Sequence, residues 1–214
     1  MLELGVKLLL AYLTGTVLGS MILGNLRGVD IREMGSGNAG ATNALRTQGK
    51  LFGVTVLIID VLKGIVAVRW LPDAALPLVG IDPELSRAWL AVGCGFAVIL
   101  GHVFPVWYEF RGGKGVATVL GVVGALQPPM LLPLVGTWLV VVVLSGYVGL
   151  ASMLAGLALI AAVLIFEPAN LPMLCFAVAV SAFIIYTHRA NIARMRAGQE
   201  NRARKLWLFR SRAA

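Results

Sequence analysis

The sequence predicts an all-α integral membrane protein, a polytopic bundle of seven transmembrane helices with the N-terminus outside and the C-terminus in the cytoplasm. Of its 214 residues, 59% are hydrophobic and only 13% are charged, and the mean hydropathy is +0.88. Soluble domains carry roughly twice that charged fraction. Apolar stretches of membrane-crossing length recur along the chain, and the basic residues concentrate in a few of the segments between them.

Seven apolar windows are the candidate spans, since a full crossing takes roughly 20 apolar residues. The fourth and fifth windows are short, and the pair Pro128-Pro129 between them predicts a tight turn because proline ends helices. A short helical hairpin that dips into the membrane is the alternative for these two windows. We expect one domain over residues 1–214. The windows cover residues 4–24, 51–71, 88–108, 116–126, 130–144, 150–166 and 171–187.

The basic residues set the predicted orientation, because short cytoplasmic loops collect lysine and arginine. Fourteen of the eighteen lie in the loop after the first window, the loop after the third window and the C-terminal tail. These segments are therefore expected on the cytoplasmic side, with most tail arginines facing lipid headgroups. The fourteen are Arg27, Arg32, Arg46, Lys50, Arg111, Lys114, Arg189, Arg194, Arg196, Arg202, Arg204, Lys205, Arg210 and Arg212.

A glycine-rich segment follows the first window and reads Gly-Ser-Gly-Asn-Ala-Gly-Ala-Thr-Asn over residues 35–43. Glycines leave backbone N–H groups unobstructed, and the serine, threonine and asparagine side chains add donors. We expect a phosphate site; the alternative is a turn rich in glycine and asparagine. Residues 35–40 match G-x-G-x-x-G, but no strand precedes them, which excludes a dinucleotide fold. The candidate residues are Ser36, Gly37, Asn38, Thr42, Asn43 and the nearby Arg46.

A second glycine-rich segment, Arg-Gly-Gly-Lys-Gly over residues 111–115, follows the third window. It is not a P-loop, which would need glycine at 108 and serine or threonine at 115, where Tyr108 and Gly115 stand. Glycines ahead of a helix start, with a lysine near the positive end of the helix dipole, still suit a phosphate group. The candidates are Gly112, Gly113 and Lys114.

A row of polar residues follows the last window. His188, Asn191 and Arg194 are spaced three apart, so a helix presents them on nearly one face, where a phosphate or hydroxyl ligand fits. An ordinary basic helix end at the lipid interface is the alternative. A polar interruption over residues 145–152 lies on the same predicted side of the membrane and by itself indicates only a turn.

Two charged residues lie deep in the second window. Asp60 and Lys63 are costly in lipid unless they pair or face the bundle interior, so we expect a structural ion pair. His102 is expected to be a packed or hydrogen-bonded helix histidine. Small residues inside the windows, such as Gly15 and Gly101, are expected to allow close helix packing.

Four motifs now stand in a fixed order: GSGNAGATNALR at 35–46, DVLKG at 60–64, GHVFPVWYEFRGGKGVAT at 101–118 and HRANIARMRAGQE at 188–200. Through them essentially the whole chain resembles the bacterial acyl-phosphate-dependent glycerol-3-phosphate acyltransferases. These integral membrane enzymes acylate glycerol 3-phosphate at the first step of phospholipid synthesis. The resemblance implies a multi-pass protein of the bacterial inner membrane, whose active site faces the cytoplasm and which releases lysophosphatidic acid and phosphate.

The resemblance also implies roles for the candidate residues. Glu200 matches a frequent acid of the family, without an assigned role. Arg111 stands where relatives usually have lysine, and Gly149 stands where many have serine. Ser36, Arg46, Lys114 and His188 are implied as catalytic. Substrate binding is implied for Gly37, Asn38, Thr42, Asn43, Gly112, Gly113, Ser152, Asn191 and Arg194.

An acyl phosphate is already activated, so orientation and charge stabilisation are the tasks left to the protein. We hypothesise that the primary hydroxyl of glycerol 3-phosphate attacks the acyl carbonyl while Lys114, Arg46 and the glycine-rich amides hold the leaving phosphate. Either His188 or the donor phosphate acts as base. No cofactor, metal or nucleic acid is expected. The expected partners are acyl phosphate, glycerol 3-phosphate and the lipid bilayer, and the enzyme that makes the acyl phosphate is a candidate.

Two other functions are alternatives to the acyltransferase. A transporter or channel for a phosphorylated solute would line a path across the membrane and often shows symmetry between halves, but only Asp60 and Lys63 lie deep and no repeat is found. A lipid enzyme with a nucleotide donor would need carboxylates for Mg²⁺, which are scattered here. Soluble-type acyltransferases pair a histidine with an aspartate five positions on; here Trp107 and Ala193 stand there, so we expect no activity with acyl-CoA.

Overall fold

The computed structural model describes residues 2–77 and 79–209, and within these ranges the chain forms helices and turns without any strand. This confirms the predicted all-α class. Arg210 and Arg212, which the charge count includes, lie outside the described residues. The helices are α1 (Leu2–Gly15), α2 (Gly19–Arg27), α3 (Ala41–Gln48), α4 (Lys50–Arg69), α5 (Glu84–Arg87), α6 (Leu90–Val103), α7 (Val116–Leu126), α8 (Leu131–Ser145), α9 (Val148–Phe166), α10 (Leu171–Thr187) and α11 (Arg189–Arg196).

Every apolar window of the sequence is largely helical, although the first window is interrupted between Gly15 and Gly19. Among the described residues, five helical stretches are long and apolar enough to cross a membrane, and α10 with α11, bent by 52°, brings the number to as many as six. The remaining window is α7, which has only 11 residues. A multi-pass membrane fold is therefore confirmed, while a seventh crossing stays a prediction.

The chain packs as two compact units, residues 1–128 and 129–214. In the first unit, glycines let helix backbones touch. A Cβ on Gly101 of α6 would lie 2.0 Å from the Tyr12 carbonyl oxygen of α1, and a Cβ on Gly15 would lie 2.1 Å from that of Val98. Gly121 of α7 meets the Val61 carbonyl of α4 in the same way. The predicted packing role of Gly15 and Gly101 is confirmed.

The first window, expected as one continuous helix, is broken between Gly15 and Gly19. The end of a helix leaves backbone carbonyls without partners. The Lys63 ammonium provides hydrogen-bond partners at this break. Its Nζ donates to the carbonyl oxygens of Gly15 at 2.9 Å and Val17 at 2.8 Å. The break is thus held by a residue 46 positions away from Val17.

In the second unit, α9 packs against both α8 and α10. Ser181 of α10 donates its hydroxyl to the Gly156 carbonyl of α9 at 2.6 Å, where the absence of a side chain on Gly156 permits close approach. Asn170 caps the start of α10 by accepting from the Met173 N–H. The other end of α10 bends at His188 into α11, which places the polar row on a short helix of its own.

Candidate active site

The first glycine-rich segment starts as a loop and ends in the first turn of a helix. Ser36, Gly37 and Asn38 lie in the loop, whereas α3 begins at Ala41 and carries Thr42 and Arg46. The sequence predicted a phosphate site or a turn over residues 35–43, and it did not predict that a helix begins at Ala41. Because Thr42 and Arg46 are four residues apart, both lie on the exposed face of α3.

Asn43 fixes the shape of this segment. Its Nδ2 donates to the carbonyls of Ile31 at 3.1 Å and Met34 at 2.9 Å, and its Oδ1 accepts from the Ser36 N–H at 2.9 Å. The side chain is 1% exposed. Both amide hydrogens are thus used within the protein, and a substrate contact by Asn43 stays a prediction.

A hydrogen bond from the first helical stretch holds the same loop. Ser20 of α2 donates to the Ala39 carbonyl at 2.6 Å, and Tyr108 packs against the cluster of Leu18, Met21 and Ala39. Tyr108 belongs to the segment that leads into the second glycine-rich motif. The first unit therefore brings the two glycine-rich motifs together, with Tyr108 between them.

Arg32 adds a charged link between the same two segments. It donates to the Tyr108 carbonyl at 3.1 Å and, through Nε and Nη2, to the carboxylate of Asp30. These hydrogen bonds hold the pKa of Asp30 below its usual value, against a smaller opposing effect of burial. The sequence marked Arg32 only as a basic loop residue and did not foresee this link.

The Gly-Gly-Lys segment folds back on the end of α6. The N–H groups of Gly112 and Gly113 donate to the carbonyls of Val103 and His102, each at 3.1 Å. Ahead of them, Glu109 and Phe110 both have φ of 57°, a left-handed conformation that non-glycine residues rarely adopt. Lys114 follows, half-buried, one residue before the left-handed Gly115 that precedes α7.

Beneath this segment lies a buried charged cluster, which we call the triad: Asp60, Lys63 and His102. Lys63 Nζ lies 3.2 Å from Asp60 Oδ1 and 2.8 Å from His102 Nδ1. A Cβ on Gly113 would meet His102 Nε2 at 2.1 Å, so the imidazole edge packs directly under the loop. The predicted ion pair and the predicted packed histidine are both confirmed.

In the second unit, His188 is buried at the bend between α10 and α11. Its Nδ1 lies 2.8 Å from the Ile184 carbonyl oxygen, which only accepts, so this nitrogen carries the proton. In the neutral ring Nε2 is then the basic nitrogen. This is the tautomer that a general base at Nε2 requires.

Glu200 organises the rest of the polar row. Its carboxylate accepts from Asn191 Nδ2 at 2.6 Å and from Arg194 Nε at 2.7 Å. Asn191 lies against the first turn of α9, since a Cβ on Gly149 would come within 3.0 Å of its Nδ2. The predicted single face of Asn191 and Arg194 is therefore real, and Glu200 fixes both side chains on it.

Ser152 is the other predicted residue of this unit. It is buried within α9, where its hydroxyl donates to the Val148 carbonyl at 2.9 Å and accepts from the Trp138 indole at 3.3 Å. Its position next to Gly149 on α9 places it one helical turn from the contact with Asn191.

The helical architecture and the apolar spans define a polytopic membrane protein. The sequence model of the glycerol-3-phosphate acyltransferase family matches residues 6–198. The glycerol-3-phosphate acyltransferase of Aquifex aeolicus is 42% identical over 194 residues, covering 90% of this chain and 95% of its own. That of Synechococcus elongatus is 42% identical over 195 residues, covering 91% of each.

Comparison with solved structures points to the same family as the sequence comparisons. The crystal structure of PlsY, an integral membrane glycerol 3-phosphate acyltransferase, in its glycerol 3-phosphate form superposes with a TM-score of 0.78 at 36% identity, covering 93% of this chain and 94% of that one. The lysophosphatidic acid form of PlsY gives a TM-score of 0.77. The chain belongs to the glycerol-3-phosphate acyltransferase family and is an integral membrane acyltransferase.

Proposed function

We propose that the protein transfers an acyl group from acyl phosphate to the sn-1 hydroxyl of glycerol 3-phosphate, giving lysophosphatidic acid and inorganic phosphate for phospholipid biosynthesis. The observation that carries this proposal is the Glu200 carboxylate, which binds both Asn191 and Arg194 on α11, the helix that begins directly after His188. Such a row offers an amide, a guanidinium and an imidazole to a ligand that carries both phosphate and hydroxyl groups. The relative crystallised in a glycerol 3-phosphate form supports this choice of acceptor.

The first unit is proposed to hold the phosphate of the donor. Arg46 and Thr42 share the exposed face of α3, which begins at Ala41, close in sequence to Ser36, Gly37 and Asn38. Lys114, Gly112 and Gly113 add charge and a compact backbone turn. Unpaired N–H groups at a helix start favour an anion there. Asn43, which has both hydrogens engaged, is assigned to loop shape in place of substrate contact.

The chemical step needs no covalent enzyme intermediate. The acceptor oxygen attacks the acyl carbonyl carbon, the bond from that carbon to the phosphate oxygen breaks, and the phosphate leaves with the charge that Lys114 and Arg46 stabilise. The hydroxyl proton passes either to His188 Nε2 or to an oxygen of the donor phosphate. Ser152, buried in α9, is proposed to support the acceptor site from behind Asn191.

The His188→Ala variant decides between the two bases. A loss of turnover of about 100-fold or more assigns the proton to His188, in the range usual for general bases. A raised KM for glycerol 3-phosphate with near-normal turnover assigns it to the donor phosphate. His102→Ala is not a suitable control, because His102 belongs to the buried triad.

The membrane arrangement is proposed to follow the charge distribution. Seven crossings, with the N-terminus outside and the C-terminus in the cytoplasm, would place the basic segments and the active site on the cytoplasmic side of the bacterial inner membrane. The whole chain, residues 1–214, then acts as one acyltransferase domain. The water-insoluble donor is proposed to arrive from the enzyme that produces it, through the bilayer or by direct transfer.

The proposal is tested with purified protein in detergent and synthetic acyl phosphate. Phosphate release should depend on glycerol 3-phosphate, and acyl-CoA should not replace acyl phosphate. Comparable turnover with acyl-CoA would reject the donor assignment. Cleavage of the product by a phospholipase specific for the sn-1 ester tests the position of acylation.

A further inference from the structure

The C-terminal segment, residues 199–209, folds back on the turn between α8 and α9. The Ala203 N–H donates to the Gly146 carbonyl at 2.7 Å, and the Leu208 N–H donates to the Val143 carbonyl at 2.9 Å. The Trp207 indole donates to the Leu144 carbonyl at 3.2 Å. The carbonyls of Val143 and Leu144 are among those that α8 cannot satisfy itself, so the segment completes the end of this helix.

Arg202 joins this segment to the turn through its planar head group. The guanidinium carbon lies 4.7 Å from the ring centre of Tyr147 and 4.0 Å from that of Trp207. Nη2 also donates to the Tyr147 hydroxyl at 3.0 Å. A guanidinium that meets two aromatic faces is attracted to both, and a lysine does not reproduce this planar contact. We call Arg202, Tyr147 and Trp207 the tail clamp.

The turn accommodates the clamp because residue 146 has no side chain. A Cβ on Gly146 would lie 3.1 Å from Trp207 Cγ and 3.2 Å from Arg202 Cβ. Gly146 also has φ of 77°, a conformation that ends α8 and that other residues resist. The backbone of the turn and the clamp are therefore fitted to each other.

Arg202 of the clamp follows Glu200 by two residues, and the Glu200 carboxylate binds Asn191 and Arg194. On the other side of Glu200, the chain leaves α11 through Gly198, which has φ of 70°. Glu200 thus lies on a short connection that is fixed to α11 by its own carboxylate and to the α8–α9 turn by Arg202. The clamp therefore adds side-chain contacts to the backbone hydrogen bonds by which Ala203 and Leu208 attach this connection to the end of α8.

We propose that the tail clamp is a positioning device for the acceptor site, holding Glu200 so that Asn191 and Arg194 keep their orientation. This inference rests on the proposed function. Arg202 and Trp207 lie beyond residue 198, where the match to the family's sequence model ends. The device therefore belongs to a part of the chain that the family model does not describe.

Steady-state kinetics test the clamp. Arg202→Ala and Trp207→Ala should each raise the KM for glycerol 3-phosphate by about tenfold, with kcat and the KM for acyl phosphate within about twofold of wild type. The KM of Arg202→Lys for glycerol 3-phosphate should lie between those of wild type and Arg202→Ala, because lysine keeps the charge but loses the planar contact. The control is Arg204→Ala, which removes the same charge from an exposed position on the same segment.

Two further outcomes bear on the mechanism. If the clamp acts through Glu200, the double variant Glu200→Gln/Arg202→Ala should be no worse than Glu200→Gln alone. If the two substitutions instead raised the KM independently, so that their effects multiplied in the double variant, the proposal would be overturned. An Arg202→Ala variant that matches Arg204→Ala would also overturn it, as would one in which both KM values and kcat change together, as general unfolding would cause.

Hydrogen exchange separates the clamp from the proposed function. In the wild-type protein the amides of Ala203 and Leu208 should be protected, and Arg202→Ala and Trp207→Ala should expose them while Arg204→Ala does not. Unprotected wild-type amides would overturn the clamp whatever the enzyme's substrates are. Protected amides in a protein without acceptor-dependent turnover would instead reject the proposed function, and with it the clamp's role in acceptor binding.

Discussion

The ammonium of Lys63 donates to Nδ1 of His102 across 2.8 Å. Because an ammonium group cannot accept, the imidazole accepts here and carries its proton on Nε2, the edge that packs under Gly113. The same ammonium binds the carbonyls of Gly15 and Val17 at the break in the first helical stretch. One side chain therefore ties that break to the base of the Gly-Gly-Lys segment.

Loss of Lys63 should be severe for stability. Lys63→Ala leaves the buried Asp60 carboxylate without its closest cation, a change that typically costs about 3–5 kcal/mol. The midpoint of thermal unfolding in detergent measures this loss of stability. Lys50→Ala, at an exposed position at the start of the same helix, is the control. Equal midpoints for the two variants would contradict the pairing. Asp60→Asn combined with Lys63→Met should be milder than Lys63→Ala.

The glycine crossing of α1 and α6 gives a second prediction. Gly101→Ala places a methyl group against the Tyr12 carbonyl and must push the helices apart, at a cost on the order of 1–3 kcal/mol or more. Gly5→Ala is the matched control, since nothing lies within 4 Å of a Cβ at Gly5 and alanine favours helix there. The unfolding midpoint should fall for Gly101→Ala and hold or rise for Gly5→Ala. A neutral Gly101→Ala would mean that the two helices do not touch as described.

Asn43→Asp tests the shape of the first glycine-rich segment. Aspartate cannot donate to the carbonyls of Ile31 and Met34, so a buried charge replaces two hydrogen bonds. We expect a lower unfolding midpoint and a reduced turnover. The same chemical change at Asn201, which is exposed, should alter neither. Full activity with normal stability in Asn43→Asp would contradict the role of these hydrogen bonds in shaping the segment.

Asp30 predicts how stability changes in acid. The Arg32 guanidinium holds the pKa of Asp30 below its usual value. A carboxyl group of this kind contributes stability that is complete above its unfolded pKa of about 3.9 and is lost as the pH falls through the folded pKa. On acidification below about pH 4, the unfolding midpoint of wild type should therefore fall more steeply than that of Asp30→Asn. Parallel profiles would contradict the link. Asp73→Asn, at an exposed position, should follow wild type.

The apolar windows predicted the helices well because span length and hydropathy are local properties. α9, for example, occupies Val148–Phe166 where the window covers residues 150–166. The break between α1 and α2 could not be predicted in this way, because no proline marks it and its carbonyls are satisfied by Lys63 of another helix. α3 was hidden because glycine and asparagine dominate the residues just before it.

In the candidate site, too, local features were predictable from the sequence and contacts with distant residues were not. The spacing of Asn191 and Arg194 predicted a shared helix face, since i, i+3 neighbours meet on any helix. The role of Glu200 was not predictable, because its contact with both residues depends on a turn through Gly198 and on the docked tail. Arg32 and Ser20 were likewise missed as links, since their partners are backbone carbonyls, which no residue pattern marks.

The central claim is that acyl transfer from acyl phosphate requires the acceptor. The direct measurement follows lysophosphatidic acid and inorganic phosphate together in purified protein supplied with synthetic acyl phosphate and glycerol 3-phosphate. We expect the two products to form in equal amounts, neither to form without glycerol 3-phosphate, and Lys114→Ala to abolish both. Phosphate release that continues at the same rate without glycerol 3-phosphate, or without lysophosphatidic acid as product, would contradict it.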